Sequence, residues 1–218
     1  MTETTGDTAT TPTTRRELHG TPGEEGRVTR LVIMGPQGAG KGTQAARLAE
    51  ILGVPTISTG DIFRANIKDG TELGTRAQEY SAKGELVPDE ITNAMVRDRL
   101  GQPDIAGGFI LDGYPRNAAQ VDELDSILSD LGWELDGVIE LTADREELLS
   151  RLSKRAETEG REDDTEEAIA RRLDIYAEQT APLTSAYAER SLLVKVDGIG
   201  EITEVTDRIV QSLAAQLG

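Results

Sequence analysis

The stretch GPQGAGKGTQ at residues 35–44 holds four glycines, a proline and a lysine. Neither a helix nor a strand chooses that composition, because glycine has the most backbone freedom to lose and proline lacks a donor. It follows the apolar run Leu31-Val32-Ile33-Met34 and precedes the helix-like AARLAEIL. Gly35, Gly40 and Lys41 fit the pattern G-x-x-x-x-G-K, with a strand before it and a helix after. Such a loop curls until several N–H groups point at one centre, and the helix N-terminus adds its positive dipole end. Gly38, Ala39, Gly40, Lys41, Gly42 and Thr43 are therefore read as a nucleotide-phosphate cradle, with the Lys41 ammonium on the β- and γ-phosphates. The general motif has Ser or Thr directly after the lysine as a magnesium ligand. Here Gly42 stands there and the hydroxyl comes one residue late, at Thr43. Magnesium is then expected to be held by other groups or through water.

The rest of the chain predicts the scaffold for that loop. Short aliphatic runs at 30–35, 54–58, 108–113, 137–142 and 192–198 alternate with helical spacing, as in Val121, Leu124, Ile127, Leu128 and Leu131. Runs of this kind read as buried parallel strands, and the alternation predicts an α/β, doubly wound five-stranded parallel sheet. The 218 residues suit one domain. Residues 1–27, rich in Thr, Gly and Glu, read as a disordered tail, because they cannot bury enough surface to offset ordering. Arg15-Arg16 lacks the apolar segment an export signal needs, and no later run reaches a membrane span of roughly 18 residues. With a net charge of -17, general binding to nucleic acid or anionic membrane is not expected. The chain is expected to be a cytoplasmic monomer. It has no cysteine, which removes disulfides, zinc thiolates and thiol catalysis.

Two carboxylates and several arginines complete the chemistry. Asp112 follows the run FIL at a strand's carboxyl end, where phosphate-loop enzymes keep a magnesium-organising carboxylate. Asp61 either assists it, through water, or is a helix N-cap. Arg64 and Arg116 suit a bidentate clamp on a second phosphate. Arg151, Lys154, Arg155, Arg161, Arg171 and Arg172 form the densest basic cluster in an acidic chain. They are ordinary surface partners of nearby glutamates on one reading. On the other, which we favour, they neutralise phosphates during transfer.

In order along the chain, GKGTQ, STGDIFR at 58–64, GELVPDE at 84–90, GFILDGYPRNAAQ at 108–120, RLSKR at 151–155 and ARRLDIYAEQTAPL at 170–183 resemble the nucleoside monophosphate kinases, adenylate kinases in particular. The resemblance covers residues 28–218. It implies transfer from Mg-ATP to AMP giving two ADP, with residues 58–87 closing over AMP and a short lid at 154–164 closing over ATP. It implies that Arg151 and Arg155 face ATP, that Arg161 and Arg172 reach the phosphates between the nucleotides, and that Asp163 and Asp164 pair with lid or core groups on closure. It also puts Gly200 at ATP's adenine. For AMP it implies Thr59, Arg64, Glu85, Leu86, Val87, Gly113, Tyr114, Pro115, Arg116 and Gln120. Zinc, which some long lids hold on four cysteines, is not expected. Family members specific for UMP or CMP commonly have Ala where Thr59 stands and Asn where Gln120 stands. Both positions match the adenine pattern, and a glutamine amide pairs with adenine's N1 and 6-amino edge. A pyrimidine-nucleotide kinase and a binding protein without catalysis are the alternatives.

Overall fold

The computed structural model describes residues 28–159 and 165–217. The expected tail at 1–27 and residues 160–164 of the expected lid, Arg161, Asp163 and Asp164 among them, lie outside the described residues. Strand β1 (Thr29–Met34) leads into the glycine loop and helix α1 (Lys41–Leu52), then β2 (Thr56–Ser58), α2 (Thr59–Lys68), α3 (Glu72–Ser81) and α4 (Asp89–Leu100). Strand β3 (Gly108–Asp112), α5 (Ala118–Leu131), β4 (Gly137–Thr142), α6 (Arg145–Glu159) and α7 (Glu166–Ile175) follow. A π-helical turn, Tyr176–Thr180, continues α7 before α8 (Leu183–Glu189), β5 (Leu193–Asp197) and α9 (Ile202–Leu217).

The five strands are parallel in the order β2-β3-β1-β4-β5, as the alternation predicts. Successive residues of a strand face opposite sides, so β1 feeds two cores. Leu31 and Ile33 pack with Leu48, Leu152, Leu173 and Ile209 on one face. Val32 and Met34 pack with Val96, Phe109, Leu124 and Tyr187 on the other. Both faces are covered by helices, which is why β1 reads as an unbroken apolar run. The edge strands depart from the expectation of full burial. Thr56 is exposed in β2, and Lys195 and Asp197 are exposed in β5. A strand paired on one side only leaves alternate side chains in water, and charged groups there also discourage further strand pairing.

Two helix pairings bear on the site. Gln44, buried in the first turn of α1, donates from Nε2 to the Ile202 carbonyl at 3.0 Å and accepts from the Thr206 hydroxyl at 2.8 Å. This ties the helix behind the glycine loop to α9. Helices α2 and α3 pack closely at Gly74, where a Cβ would stand 2.1 Å from the Asn66 carbonyl oxygen. Among the described residues no helix is long and apolar enough to cross a membrane.

Candidate active site

The carboxyl ends of the parallel strands open into a cleft of about 720 Å³. Open α/β sheets put ligands at this edge. The loop after β1 forms its floor. Gly35 has φ +145°, and a Cβ there would stand 2.5 Å from the Leu141 carbonyl oxygen, so only glycine lets the chain leave β1 so close to β4. Gly38 and Gly40 follow with φ +87° and +90°, turning the loop into the N-terminus of α1. The first helical residue is Lys41, and its ammonium donates to the Pro36 carbonyl at 3.0 Å. Desolvation is the main cause that lowers its pKa from 10.5 to about 8, with Asp112 opposing and Arg116 and Arg155 reinforcing the fall. Thr43 sits on the exposed side of the same turn and lines the cleft.

Strand β3 delivers the opposing groups. Asp112 is its last residue, and its carboxylate stands 3.8 Å from where a Cβ on Gly42 would be. Burial raises its pKa, against the pull of Lys41 and Arg116. Gly113, Tyr114 and Pro115 turn the chain over the cleft. Tyr114 is a core residue whose hydroxyl donates to Asn93 Oδ1 at 2.7 Å.

Arg116 is fixed at three points. Its backbone N–H donates to Gln120 Oε1 at 2.8 Å, and its Nε donates to the Gly113 carbonyl at 2.7 Å. Its carbonyl accepts from the Thr180 hydroxyl at 2.7 Å. Thr180 closes the π-helical turn and is buried. Desolvation lowers the Arg116 pKa below the usual guanidinium range, with Asp112 opposing and Arg172 and Arg64 reinforcing.

Helix α2 brings Thr59, Asp61 and Arg64 to the same cleft. The N-cap is Ser58, whose hydroxyl accepts from the Asp61 backbone N–H at 3.2 Å, so the capping expectation for Asp61 is corrected. Asp61 lies inside the first turn and its carboxylate pairs with Arg64. Buried Thr59 donates to the Gly113 carbonyl at 3.0 Å, joining α2 to the β3 turn. Glu85, Leu86 and Val87 line the wall beyond it.

The basic cluster divides. Arg151 donates to Glu147 Oε1 at 2.6 Å and to the Gly198 carbonyl at 3.0 Å, facing the cleft beside the loop that carries Gly200. Arg155 and Arg172 also line the cleft, and Arg172 donates to the Ser81 carbonyl at the end of α3 at 3.1 Å. Lys154 and Arg171 are exposed. Among the described residues no group of three or more His, Asp or Glu side chains is arranged so that it could hold a metal ion.

Sequence reading missed three groups at this site: Gln44, Thr180 and Asp89. Asp89, at the start of α4, accepts from Gln120 Nε2 at 2.6 Å and from Asn117 Nδ2 at 3.0 Å. Its partner lies 31 residues away, and no local pattern announces such a contact.

The sequence has counterparts elsewhere. The family model described as adenylate kinase matches residues 33–192. An adenylate kinase of Kocuria rhizophila is 62% identical over 186 residues, 85% of this chain and 99% of the relative. One from Nocardioides sp. is 59% identical over 84% of this chain and 96% of its own length, and one from Thermobifida fusca 57% over 86% and 99%.

Proposed function

Because the chain belongs to the adenylate kinase family, we propose that it transfers a phosphoryl group from Mg-ATP to AMP, giving two ADP, by direct in-line attack of an AMP phosphate oxygen. The observation that carries the mechanism is the convergence of Lys41, Asp112, Arg116 and Gln120 in one cleft at the strand ends. The first two face the phosphates of ATP and the last two the phosphate and base of AMP. A phosphate's second pKa is about 6, so the attacking oxygen is already largely ionised near neutral pH and needs no general base. Catalysis is then positioning and charge stabilisation. Lys41, Arg116, Arg155, Arg161 and Arg172 neutralise the transferring group, and Arg64 helps hold AMP.

Magnesium arrives with ATP as part of the substrate. Asp112 suits it: a carboxylate close to the backbone of Gly42, in a site where burial penalises its charge until a cation is near. Magnesium keeps several waters and takes only one or two carboxylates beside phosphates, so a larger acidic cluster is not required. Asp61 joins it through water. Residues 28–218 form the catalytic domain of this proposal, with 58–87 closing over AMP and 154–164 over ATP so that water is excluded. The setting is a cytoplasmic monomer, where both nucleotides are present.

Gln120, aided by Thr59, reads adenine. A pyrimidine would leave part of a buried amide without a partner, at a cost of about 1–3 kcal/mol. ADP formation from ATP with AMP, CMP and UMP tests this. AMP is expected to lead by at least about 10²-fold in kcat/KM. Comparable rates with CMP would refute the base assignment, and no transfer to any monophosphate would refute catalysis.

A further inference from the structure

Gln120 is buried, and each end of its amide already has a protein partner. Oε1 accepts from the Arg116 backbone N–H at 2.8 Å, and Nε2 donates to Asp89 Oδ1 at 2.6 Å. A backbone N–H can only donate, and an ionised carboxylate can only accept. The two neighbours therefore dictate which end of the amide is oxygen. Turning it by half a revolution would set NH2 against N–H and C=O against the carboxylate. Asp89 is itself held: its two oxygens accept from Asn117 Nδ2 at 3.0 and 3.1 Å. Asn117 in turn accepts on Oδ1 from the Gln120 backbone N–H at 2.9 Å, which closes a ring.

One lone pair of Oε1 and one N–H of Nε2 remain for a ligand, and Gln120 lines the cleft. In the held orientation they match a purine with a 6-amino donor beside an N1 acceptor. A 6-oxo purine has the reverse order, an acceptor at C6 and a donor at N1. Gln120 would match it equally well after turning over. A glutamine amide alone thus does not choose between the two; its orientation does. We propose that Asp89 is a positioning residue for specificity: by holding the Gln120 amide in one orientation, it selects 6-amino over 6-oxo purine monophosphates. The inference rests on the reading that Gln120 contacts the base.

The test uses the full-length chain with ATP and either AMP or inosine monophosphate, which differ only at the C6–N1 edge. Nucleotide products are separated and kcat/KM is taken for each. Asp89→Asn keeps an acceptor for Asn117 but offers Gln120 a donor as well, so only the Arg116 N–H still opposes the turned amide and its population rises. The AMP preference is expected to fall at least about tenfold, through a rise for inosine monophosphate as well as a loss for AMP, with the KM for ATP unchanged. Asp89→Ala, which removes the acceptor altogether, is expected to move the ratio in the same direction. It serves as the second variant if Asp89→Asn folds poorly. A merely structural role would lower both substrates together and leave the ratio alone. An unmoved ratio in folded Asp89 variants, alongside a collapsed ratio in Gln120→Ala, overturns the proposal while base reading stands. A wild-type ratio in Gln120→Ala overturns base reading and the proposal with it.

Discussion

Lys41→Met separates what the loop lysine does for the reaction from what it does to the fold. Its pKa falls from 10.5 to about 8, chiefly through desolvation, so below pH 8 the folded state carries a charge it disfavours. At 1.36 kcal/mol per pH unit the fall corresponds to about 3 kcal/mol as an upper limit. Water reaching this partly buried group reduces that to about half. Methionine gives up the hydrogen bond to Pro36, at about 1 kcal/mol, and regains part of it by burying an apolar chain of similar length. The net expectation is a ligand-free variant more stable by about 1 kcal/mol at pH 7, seen as a Tm higher by about 2–4 °C.

The pH dependence carries the sign. Between pH 8 and 10.5 the unfolded lysine keeps a proton that the folded one has released, so wild-type stability rises with pH relative to the variant. The gap in Tm should close across that window. Turnover should fall at least about 10³-fold, because the ammonium acts on charge that develops in transfer. Thermal unfolding of both proteins from pH 7 to 10, with ADP formation measured in parallel, provides the check. A variant less stable at pH 7, with a gap that does not change with pH, would refute the desolvation argument. Near wild-type turnover would refute the catalytic one.

Three further outcomes follow from the same geometry. The kcat/KM for ATP should decline above pH 8, where ligand-free Lys41 loses its proton, while kcat holds to higher pH because bound phosphates favour the ammonium; coincident profiles would remove Lys41 from the phosphates. Thr180→Val keeps the side-chain shape but frees the Arg116 carbonyl, so kcat/KM for AMP should fall about tenfold at a stability cost of about 1 kcal/mol, with Thr180→Ser restoring it; an unchanged KM and kcat for AMP would deny the positioning role. Gly74→Ala forces a Cβ to within 2.1 Å of Asn66 and must spread α2 from α3, so it should cost about 1–3 kcal/mol and raise the KM for AMP while sparing that for ATP, as unfolding and initial-rate measurements would report.

What could be read in advance divides along physical lines. The loop, Asp112 and Arg116 were legible because their placement is local: each follows an apolar run that fixes a strand end within a residue or two. The cap of α2 was ambiguous in the sequence because Ser58 and Asp61 are both good capping residues. The end of β2 at Ser58, which decides between them, is set by pairing with β3. Edge exposure in β5 had a signal, the alternation Val194-Lys195-Val196-Asp197, but which strand is an edge depends on sheet order. Asp89, Gln44 and Thr180 were illegible for a different reason. Each acts across 31 to 162 residues of chain, through a hydrogen bond that only tertiary packing creates.

Those illegible contacts share one target. The guanidinium of Arg116 can serve a phosphate only if its backbone and Nε stay put, and three separate elements see to that. The β3 turn holds Nε through Gly113, α5 holds the N–H through Gln120, and the π-helical turn holds the carbonyl through Thr180. Gln120 is also the base-reading amide of this proposal, so one residue links the orientation of the base to the position of the arginine on the phosphate. A lysine in place of Arg116 would lose both the Nε anchor and the planar fork. The π-helical turn has a purpose in this account. The wider turn carries Thr180 to the Arg116 carbonyl, where π-bulges are often found, beside a functional group. A side chain held at three points before the ligand arrives has little left to reorganise during transfer, and that preorganisation is what electrostatic catalysis requires.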